Sequence, residues 1–305
     1  MTDTALPGTI PTATTHPLIA GADHPIVAFC KRLLREKPLG AIGGVIFVLF
    51  LFCGLFADVL APYAVNETNM AARLQAPSLS HWLGTDHLGR DLLSRVLIGA
   101  QLSMMVGFLA AGLATVVSIV LGLLSGYLGG KVDMAIQRVV DAWMIFPDLL
   151  LLIVVVSIVG SGMPQIVIVL GLLYGIGGSR IVRGGVLTVR ETMYTHAAQS
   201  MGARTLYILW HHILPNVMPV VIVLFTTRVG AAILAEAGLS FLGLGVPPPA
   251  PTWGGMLSGD GRTYMYMAPW LAIAPGVCLT LVVFSVNIFG DALRDLLDPR
   301  MRGSR

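Results

Sequence analysis

The chain has 305 residues, of which 55% are hydrophobic and only 11% are charged, and its mean hydropathy is +0.82. This composition excludes an ordinary soluble domain, a charged coiled coil and an acidic disordered chain, and it predicts that most of the chain lies in lipid. The net charge of +3 is too small for a basic nucleic-acid-binding protein. The three cysteines, Cys30, Cys53 and Cys278, are far apart, so neither a disulfide framework nor a zinc site is predicted.

The beginning of the chain divides into a tail and a first membrane span. Residues 1–30 are rich in Thr and Pro without apolar periodicity, which predicts disorder. A basic cluster follows, and the uncharged run from Pro38 to Ala57 is long enough to cross a bilayer as a helix. We assign residues 1–37 to the tail and residues 38–60 to transmembrane helix 1. A cleaved secretory signal is the alternative, but the run starts late and lacks a small-residue cleavage site before Asp58.

Further hydrophobic runs predict five more spans, which form a helical core over residues 96–291. A polar segment of residues 61–95 precedes this core and lies outside the hydrocarbon. The break Gly160-Ser161-Gly162-Met163-Pro164 divides one run into two spans joined by a tight turn. The predicted spans are residues 96–130 (helix 2, ending in a turn at 126–130), 142–179 (helices 3 and 4), 217–245 (helix 5) and 263–290 (helix 6), followed by a tail of residues 292–305. The predicted fold is an all-α polytopic membrane protein with six transmembrane helices.

The distribution of Lys and Arg predicts the orientation. Six spans place both termini on one side of the membrane, and fourteen Lys and Arg residues lie on that side. The other side carries only Arg73, Arg90, Arg95 and Arg262. Because cytoplasmic loops hold the excess of positive charge, both termini and the polar segment of residues 180–216 are predicted to be cytoplasmic.

This segment, between helices 4 and 5, carries apolar residues at helical spacing on both sides of Gly202. The pattern predicts two short amphipathic helices hinged at the glycine, the second ending at Pro215 and Asn216 before helix 5. Periodicity alone leaves two interpretations open. The helices could lie on the lipid headgroups, or they could dock another protein.

The residues of this segment resemble the EAA loop of bacterial ABC-importer permeases. The matching stretches are His196-Ala197-Ala198, Gly202 and His212-Ile213-Leu214-Pro215-Asn216, although the family's usual glutamate is His196 here. The resemblance implies a coupling loop over residues 190–216 that contacts an ATP-binding subunit. The residues implied in that contact are His196, Ala197, Ala198, Gly202, Ala203 and Leu206. As an alternative, Leu206, Leu209 and Ile213 hold the loop on its own bundle.

Three other stretches resemble the C-type subunit of the dipeptide, oligopeptide and nickel permeases. They are Gly84-Thr85-Asp86 with Gly89-Arg90-Asp91, residues 235–245 with Trp253-Gly254, and residues 290–300. The external motif, Gly84, Asp86, Gly89, Arg90 and Asp91, could bind substrate or a docking protein. We favour the alternative, in which internal salt bridges fix this loop.

The resemblance implies a multi-pass protein of the bacterial inner membrane that forms a heterodimer with a homologous B-type permease. It further implies one or two P-loop ATP-binding subunits that use ATP and Mg, and an external solute-binding protein. The function implied is a translocation path for di- and oligopeptides, with glutathione, opines or nickel chelates as alternative cargo. None of Lys31, Lys37 and Lys131 lies in a GxxxxGK[ST] motif, so the chain is not expected to hydrolyse ATP or to bind a cofactor or metal itself.

The remaining polar residues in the spans leave several interpretations open. Arg228 and Glu236 lie within helix 5 and are candidates for the transport pathway or for ion pairs with other helices. Asp148 is placed to favour the start of helix 3, and His211 and His212 are expected at the membrane interface, not on a metal. An ion-coupled secondary transporter is the rival from another class, but no internal repeat is detectable. A membrane enzyme is disfavoured because no catalytic constellation is found.

Overall fold

A computed structural model describes residues 25–297, and within that range every regular element is helical. We label the principal helices in chain order. They are α1 Pro25–Glu36, α2 Pro38–Leu55, α3 Leu92–Leu128, α4 Gly130–Met144, α5 Asp148–Val159, α6 Met163–Arg190, α7 Met193–Ser200, α8 Thr205–Phe241, α9 Trp253–Ser258 and α10 Trp270–Leu297. Single turns occur at Ala57–Leu60, Met70–Ala72 and Asp260–Thr263.

Five of these helices, α2, α3, α6, α8 and α10, are each long and apolar enough to cross a membrane. The pair formed by α4 and α5 meets the same criterion together, although the two helices are bent by 89° relative to each other. The described chain therefore has five candidate spans, or six when the bent pair is counted as one. The all-α membrane fold predicted from the hydrophobic runs is confirmed, whereas the side on which the termini lie stays a prediction.

Several helices extend beyond the hydrophobic runs. α3 starts at Leu92, because the Asp91 carboxylate accepts a hydrogen bond from the Ser94 backbone amide at 2.8 Å and caps the helix. The polar residues after helix 2 are helical in α4, and α10 continues past residue 291 to Leu297. Hydrophobic runs mark only the part of a helix that lipid requires, so polar ends of helices are missed.

The structure describes only the inner part of each predicted tail. Residues 1–24 and 298–305, which belong to the predicted tails, lie outside the described residues. Residues 25–30 were expected to be disordered but form the first half of α1. The reason is an apolar face, since Phe29 and Leu33 pack against Ala292 and Leu296 of α10.

Small residues hold the helices close together. A Cβ atom added to Gly122 or Gly126 of α3 would lie within 2.8 Å of side-chain atoms of Val182 or Val186 on α6, so glycine is needed for this approach. On the other side of the bundle, Gly43 of α2 lies against the backbone of α10. The Lys37 ammonium pairs with Asp295 at 2.5 Å and ties the start of α2 to the end of α10.

Candidate functional site

The segment that links α6 to α8 is anchored on the bundle by a few buried residues. The Thr195 hydroxyl is buried and donates to the Val189 carbonyl at the end of α6, at 3.0 Å. Ala198 is only 3% exposed and belongs to the same apolar cluster as Val182 and Val186 of α6. The inner face of α7 therefore rests on α6.

Gly202 ends α7 in a left-handed turn. Its φ angle is +79°, a conformation that L side chains rarely adopt. The Ala203 amide donates to the Ala198 carbonyl at 3.1 Å, the six-to-one bond typical of a glycine-terminated helix. A Cβ atom at Gly202 would meet nothing within 4 Å. The glycine is thus required by the backbone turn and not by crowding within this chain.

The second predicted short helix is the beginning of α8, because no break occurs at Pro215 or Asn216. Residues Leu209–Ile213 form a π-helical stretch that continues directly into Leu214–Phe241. The expected end at Pro215 was wrong because the change from π-helical to α-helical geometry at Leu214 puts the missing N–H of Pro215 at the start of the regular α-helical part, so the chain stays helical. Ile208, Leu209 and Ile213 are buried against the cluster that holds α7.

The outer face of this segment is apolar and exposed. Of the six predicted contact residues, His196, Ala197, Gly202 and Leu206 are exposed, Ala203 is half-buried and Ala198 is buried. Leu206, which we also considered as an anchor to the bundle, is 66% exposed, whereas Leu209 and Ile213 are anchors. The exposed residues Met193, Met201 and Trp210 extend the surface. We call the face formed by residues 193–210 the coupling surface.

The two histidines at this end of α8 contact an aromatic ring. His211 stacks on Tyr207 with ring centroids 4.3 Å apart, and His212 approaches the same ring edge-on at 5.8 Å. Asp148, which the sequence places at the start of helix 3, lies in the first turn of α5 and is exposed.

A second candidate site is the external motif. The buried Asp86 carboxylate accepts hydrogen bonds from the backbone amides of Leu88 and Arg90, both at 2.9 Å. Its other oxygen binds the Arg90 guanidinium at 2.5 Å, and Arg95 lies 3.7 Å away. The predicted internal salt bridges are therefore present, with Asp86 at their centre.

The external motif is joined to the loop that precedes α10. His87 Nδ1 lies 2.7 Å from an Asp260 carboxylate oxygen, although the geometry is not that of a hydrogen bond, and Arg90 lies 3.7 Å from the other oxygen. A cavity of about 430 Å³ opens between these residues and the proline-rich loop of residues 247–251. Asp86, His87 and Asp260 could approach a cation, but arginine already neutralises both carboxylates, so the arrangement is an ion-pair network.

Asp91, the last residue of the motif, has a separate role. One of its carboxylate oxygens caps α3 through Ser94, and the other lies 2.9 Å from His81 Nδ1. Gly84 and Gly89 both have positive φ angles, and a Cβ atom at Gly84 would collide with the Gln75 carbonyl at 2.6 Å. The motif is a tightly packed turn.

The two charged residues of helix 5 lie in different surroundings. Glu236 is fully buried, and it accepts a hydrogen bond from Ser240 at 2.6 Å and another from Ser103 of α3 at 3.4 Å. Arg228 is half-buried and lies over the Tyr174 ring of α6, 4.9 Å from its centroid. The structure does not bring these two charges together.

Several residues that contact the predicted site residues carry no signal in the sequence. Trp253 is fully buried beside Glu236, with its amide 3.4 Å from the Ser103 hydroxyl and its indole N–H donating to the Val96 carbonyl. Asp260 and Tyr174 are likewise partners of predicted residues. They lie far from those residues in the sequence, and no local pattern identifies such pairs.

Comparison with known proteins defines the class of protein that this helical bundle represents. Residues 118–303 match the family described as binding-protein-dependent transport system inner membrane component. Residues 31–77 match the N-terminal transmembrane domain of oligopeptide transport permease C. The first match covers more than half of the chain, so the chain belongs to this family of inner membrane permeases.

Full-length relatives narrow the class further. The chain is 41% identical to the dipeptide transport system permease protein DppC of Alkalihalophilus pseudofirmus, over 89% of both chains. It is also 41% identical to the glutathione transport system permease protein GsiD of Pectobacterium atrosepticum, over 90% of this chain and 91% of the relative. The predicted resemblance to C-type ABC-importer permeases is thereby confirmed, together with a multi-pass location in the inner membrane.

The fold agrees with a solved transporter of the same kind. An inward-facing structure of the MetNI methionine ABC transporter superposes with a TM-score of 0.55 and 18% sequence identity. The match covers 67% of this chain and 96% of that chain. At this level of identity the likeness concerns the fold alone, which is that of an ABC-transporter permease. Permeases of this family are non-enzymatic membrane subunits that work with ATPases and substrate-binding proteins.

Proposed function

We propose that this chain is one half of the translocation path of a peptide importer and that a homologous B-type permease supplies the other half. The cargo is a short peptide, either a di- or oligopeptide or glutathione. The support is that a dipeptide permease and a glutathione permease are equally similar to this chain. Both of those cargoes are small peptides with free carboxylates, which is the chemistry that the two have in common.

The coupling surface is the proposed binding site for the ATP-binding subunits. Its exposed residues, including His196, Ala197 and Leu206, would enter a groove of a separate P-loop ATP-binding subunit, one or two of which bind ATP and Mg. Large exposed apolar residues on one face are typical of a protein contact. The alternative is that the same face lies on the lipid headgroups.

The helical connections explain how such a contact would reach the membrane. α8 is continuous from Thr205 through the π-helical stretch to Phe241, so a displacement of its first turns moves the whole span. α7 is held on the end of α6 by Thr195 and Ala198. A push on the coupling surface would therefore move α6 and α8, provided that the ATPase contacts the loop differently in its two states.

The ATP itself would be handled by the partners. The three lysines of this chain do not lie in a sequence that forms a phosphate-binding loop. We therefore propose that the chain hydrolyses no ATP and receives the work of the ATP-binding subunits. An external solute-binding protein would deliver the peptide to the face that carries the external motif.

Purification of the tagged chain from its native membrane in a mild detergent tests the assembly. Mass spectrometry should identify a second permease and one or two P-loop ATPases, and the preparation should hydrolyse ATP. A pure homo-oligomer without ATPase activity would contradict the proposal and favour an ion-coupled transporter.

Uptake of labelled trialanine and labelled glutathione tests the cargo. A strain that carries the complete operon should import at least one of them, and a strain lacking this chain should not. Uptake of a nickel chelate without either peptide would refute the peptide assignment while leaving the assembly intact.

A further inference from the structure

Arg228 is a charged residue near the middle of a membrane-spanning helix. It lies halfway along Leu214–Phe241, and its buried Nε atom has no hydrogen-bond partner among the described residues. Within residues 25–297, no carboxylate lies within ion-pair distance of its guanidinium, which lies over the Tyr174 ring. A charge at this depth is costly and persists where it faces water or a ligand.

The surface beside Arg228 is open. Gly177, nearly one turn beyond Tyr174 on α6, would place a Cβ atom with nothing within 4 Å. By contrast, Gly175 of the same helix packs against Val117 of α3, where a Cβ atom would lie at 2.6 Å. The two glycines therefore mark opposite sides of α6. The described chain therefore leaves the Tyr174 side of α6 uncovered at Gly177.

Tyr174 fixes the position of the guanidinium beside this uncovered side of α6. Its hydroxyl lies 3.5 Å from the Ala231 carbonyl of α8, which holds the ring between the two spans. A guanidinium above an aromatic ring keeps its edge N–H groups free for a planar anion. The N–H donors of Arg228 are therefore held in place by Tyr174 and stay available to a ligand.

We propose that Arg228, supported by Tyr174, contacts the carboxylate of the peptide while the peptide crosses the membrane. A carboxylate is the anion that matches the guanidinium fork, and every unblocked peptide carries one. This inference rests on the proposed function, because it assumes a peptide cargo. It adds to that function a residue of the permease that discriminates among peptides after the binding protein has released them.

Asp148 supplies a negative charge on the same side of the bundle. Leu152 of α5 and Tyr174 of α6 belong to one apolar cluster, and among the described residues Asp148 forms no ion pair with Arg228. Asp148 begins α5 at the bend of the broken span and is exposed. An unblocked peptide carries an ammonium as well as a carboxylate, so two separated opposite charges suit it.

The test compares trialanine with trialaninamide in the complete transporter. The affinity of the binding protein for each probe is measured first, and uptake is then compared at equal occupancy of that protein. The wild type should import trialanine about tenfold faster, as expected for a charge-assisted hydrogen bond. Arg228→Gln should import both probes at the slow rate, and Arg228→Lys should retain most of the difference. For a wild type that imports only glutathione, glutathione and its glycine amide replace these probes.

Three results would overturn the inference. The first is an Arg228→Gln transporter that discriminates like the wild type, or that slows both probes equally. The second is restored discrimination in Arg228→Gln/Asp148→Asn, which would show that Arg228 serves Asp148. The third is loss of the second permease from purified Arg228→Gln, which would place Arg228 at the subunit interface. If the wild type imports neither peptide, the proposed function itself has failed.

Tyr174 provides a matched pair of variants. Tyr174→Phe keeps the ring beneath the guanidinium and should keep discrimination, whereas Tyr174→Leu removes the ring and should reduce it several-fold. Equal behaviour of the two variants at the wild-type level would show that the ring does not position Arg228.

Discussion

Asp86 illustrates how one carboxylate can organise an entire loop. It accepts two backbone amides and pairs with Arg90 and Arg95, each of which is only 8% exposed. A buried charge pair is weak evidence for stability, but removal of one member is costly because the other charges lose their compensation. The loss of Asp86 is therefore expected to cost more stability than the loss of an exposed acid.

Asp86→Asn should destabilise the external segment. The substitution leaves Arg90 with its 3.7 Å contact to Asp260, and it leaves Arg95 without an ion-pair partner among the described residues, at a cost of about 3–5 kcal/mol. We expect a lower melting temperature of the purified transporter and faster proteolysis within residues 61–91. The control is Glu67→Gln, which changes an exposed acid of the same segment. Equal melting temperatures for the two variants would contradict the central role of Asp86.

Single residues show how far sequence analysis reaches. Asp86, Arg90 and Asp91 were identified as a salt-bridged turn because they lie close together in the sequence. His87 and its neighbour Asp260 were not, since their proximity depends on the packing of α3 against α9 and α10. Ala198 and Leu206 were both assigned to the partner contact, but helix phase buries the first and exposes the second. Such phases depend on the exact end of α7, which periodicity does not define.

At the scale of whole elements, the proposed coupling depends on the glycine turn between α7 and α8. The positive φ angle of Gly202 sets the direction of α8 relative to α7. The open space beside Gly202 leaves room for a partner protein. Backbone angle and surface contact can therefore be separated by substitution.

Gly202→Asn and Gly202→Trp separate these effects. Asparagine tolerates a left-handed backbone better than other residues with a Cβ atom, so this variant should retain most transport. Tryptophan adds backbone strain and a large side chain on the coupling surface. We expect Gly202→Trp to insert normally in the membrane but to reduce peptide uptake at least tenfold and to weaken co-purification of the ATPase. Normal uptake by Gly202→Trp would contradict the assignment of Gly202 to the contact with the ATP-binding subunit.

The helices themselves were predicted unevenly. Long hydrophobic runs identified α2, α3, α6, α8 and α10, because burial in lipid requires about twenty apolar residues in sequence. The run after residue 142 did not indicate the 89° bend between α4 and α5. Pro147, which precedes α5, was the available signal for this bend. The π-helical continuity of α8 left no signal in the sequence.

At the scale of the whole molecule, orientation is the main expectation still to be measured. The distribution of positive charge predicts that the coupling surface lies in the cytoplasm and the external motif outside. Two residues allow a direct comparison, because Leu79 is 97% exposed and Met193 is 90% exposed in this chain. Local accessibility is thus nearly equal at the two positions, and only the membrane distinguishes them.

Leu79→Cys and Met193→Cys should react differently with a membrane-impermeant maleimide. The test requires replacement of Cys30, Cys53 and Cys278 by serine. In spheroplasts, the cysteine at position 79 should be labelled within minutes, and the one at position 193 only after permeabilisation. The reverse pattern would invert the topology, and the fully permeabilised sample controls for intrinsic reactivity.

The network around Asp86 also has a consequence for biogenesis. Arg90 and Asp260 are separated by 170 positions in the sequence, which ribosomes translate in roughly ten to thirty seconds. During this interval Asp86 is, among the described residues, the only acidic partner of Arg90 and Arg95. The ion-pair network is therefore completed late, when nearly the whole chain has been made, and a chain truncated before residue 260 lacks its last member.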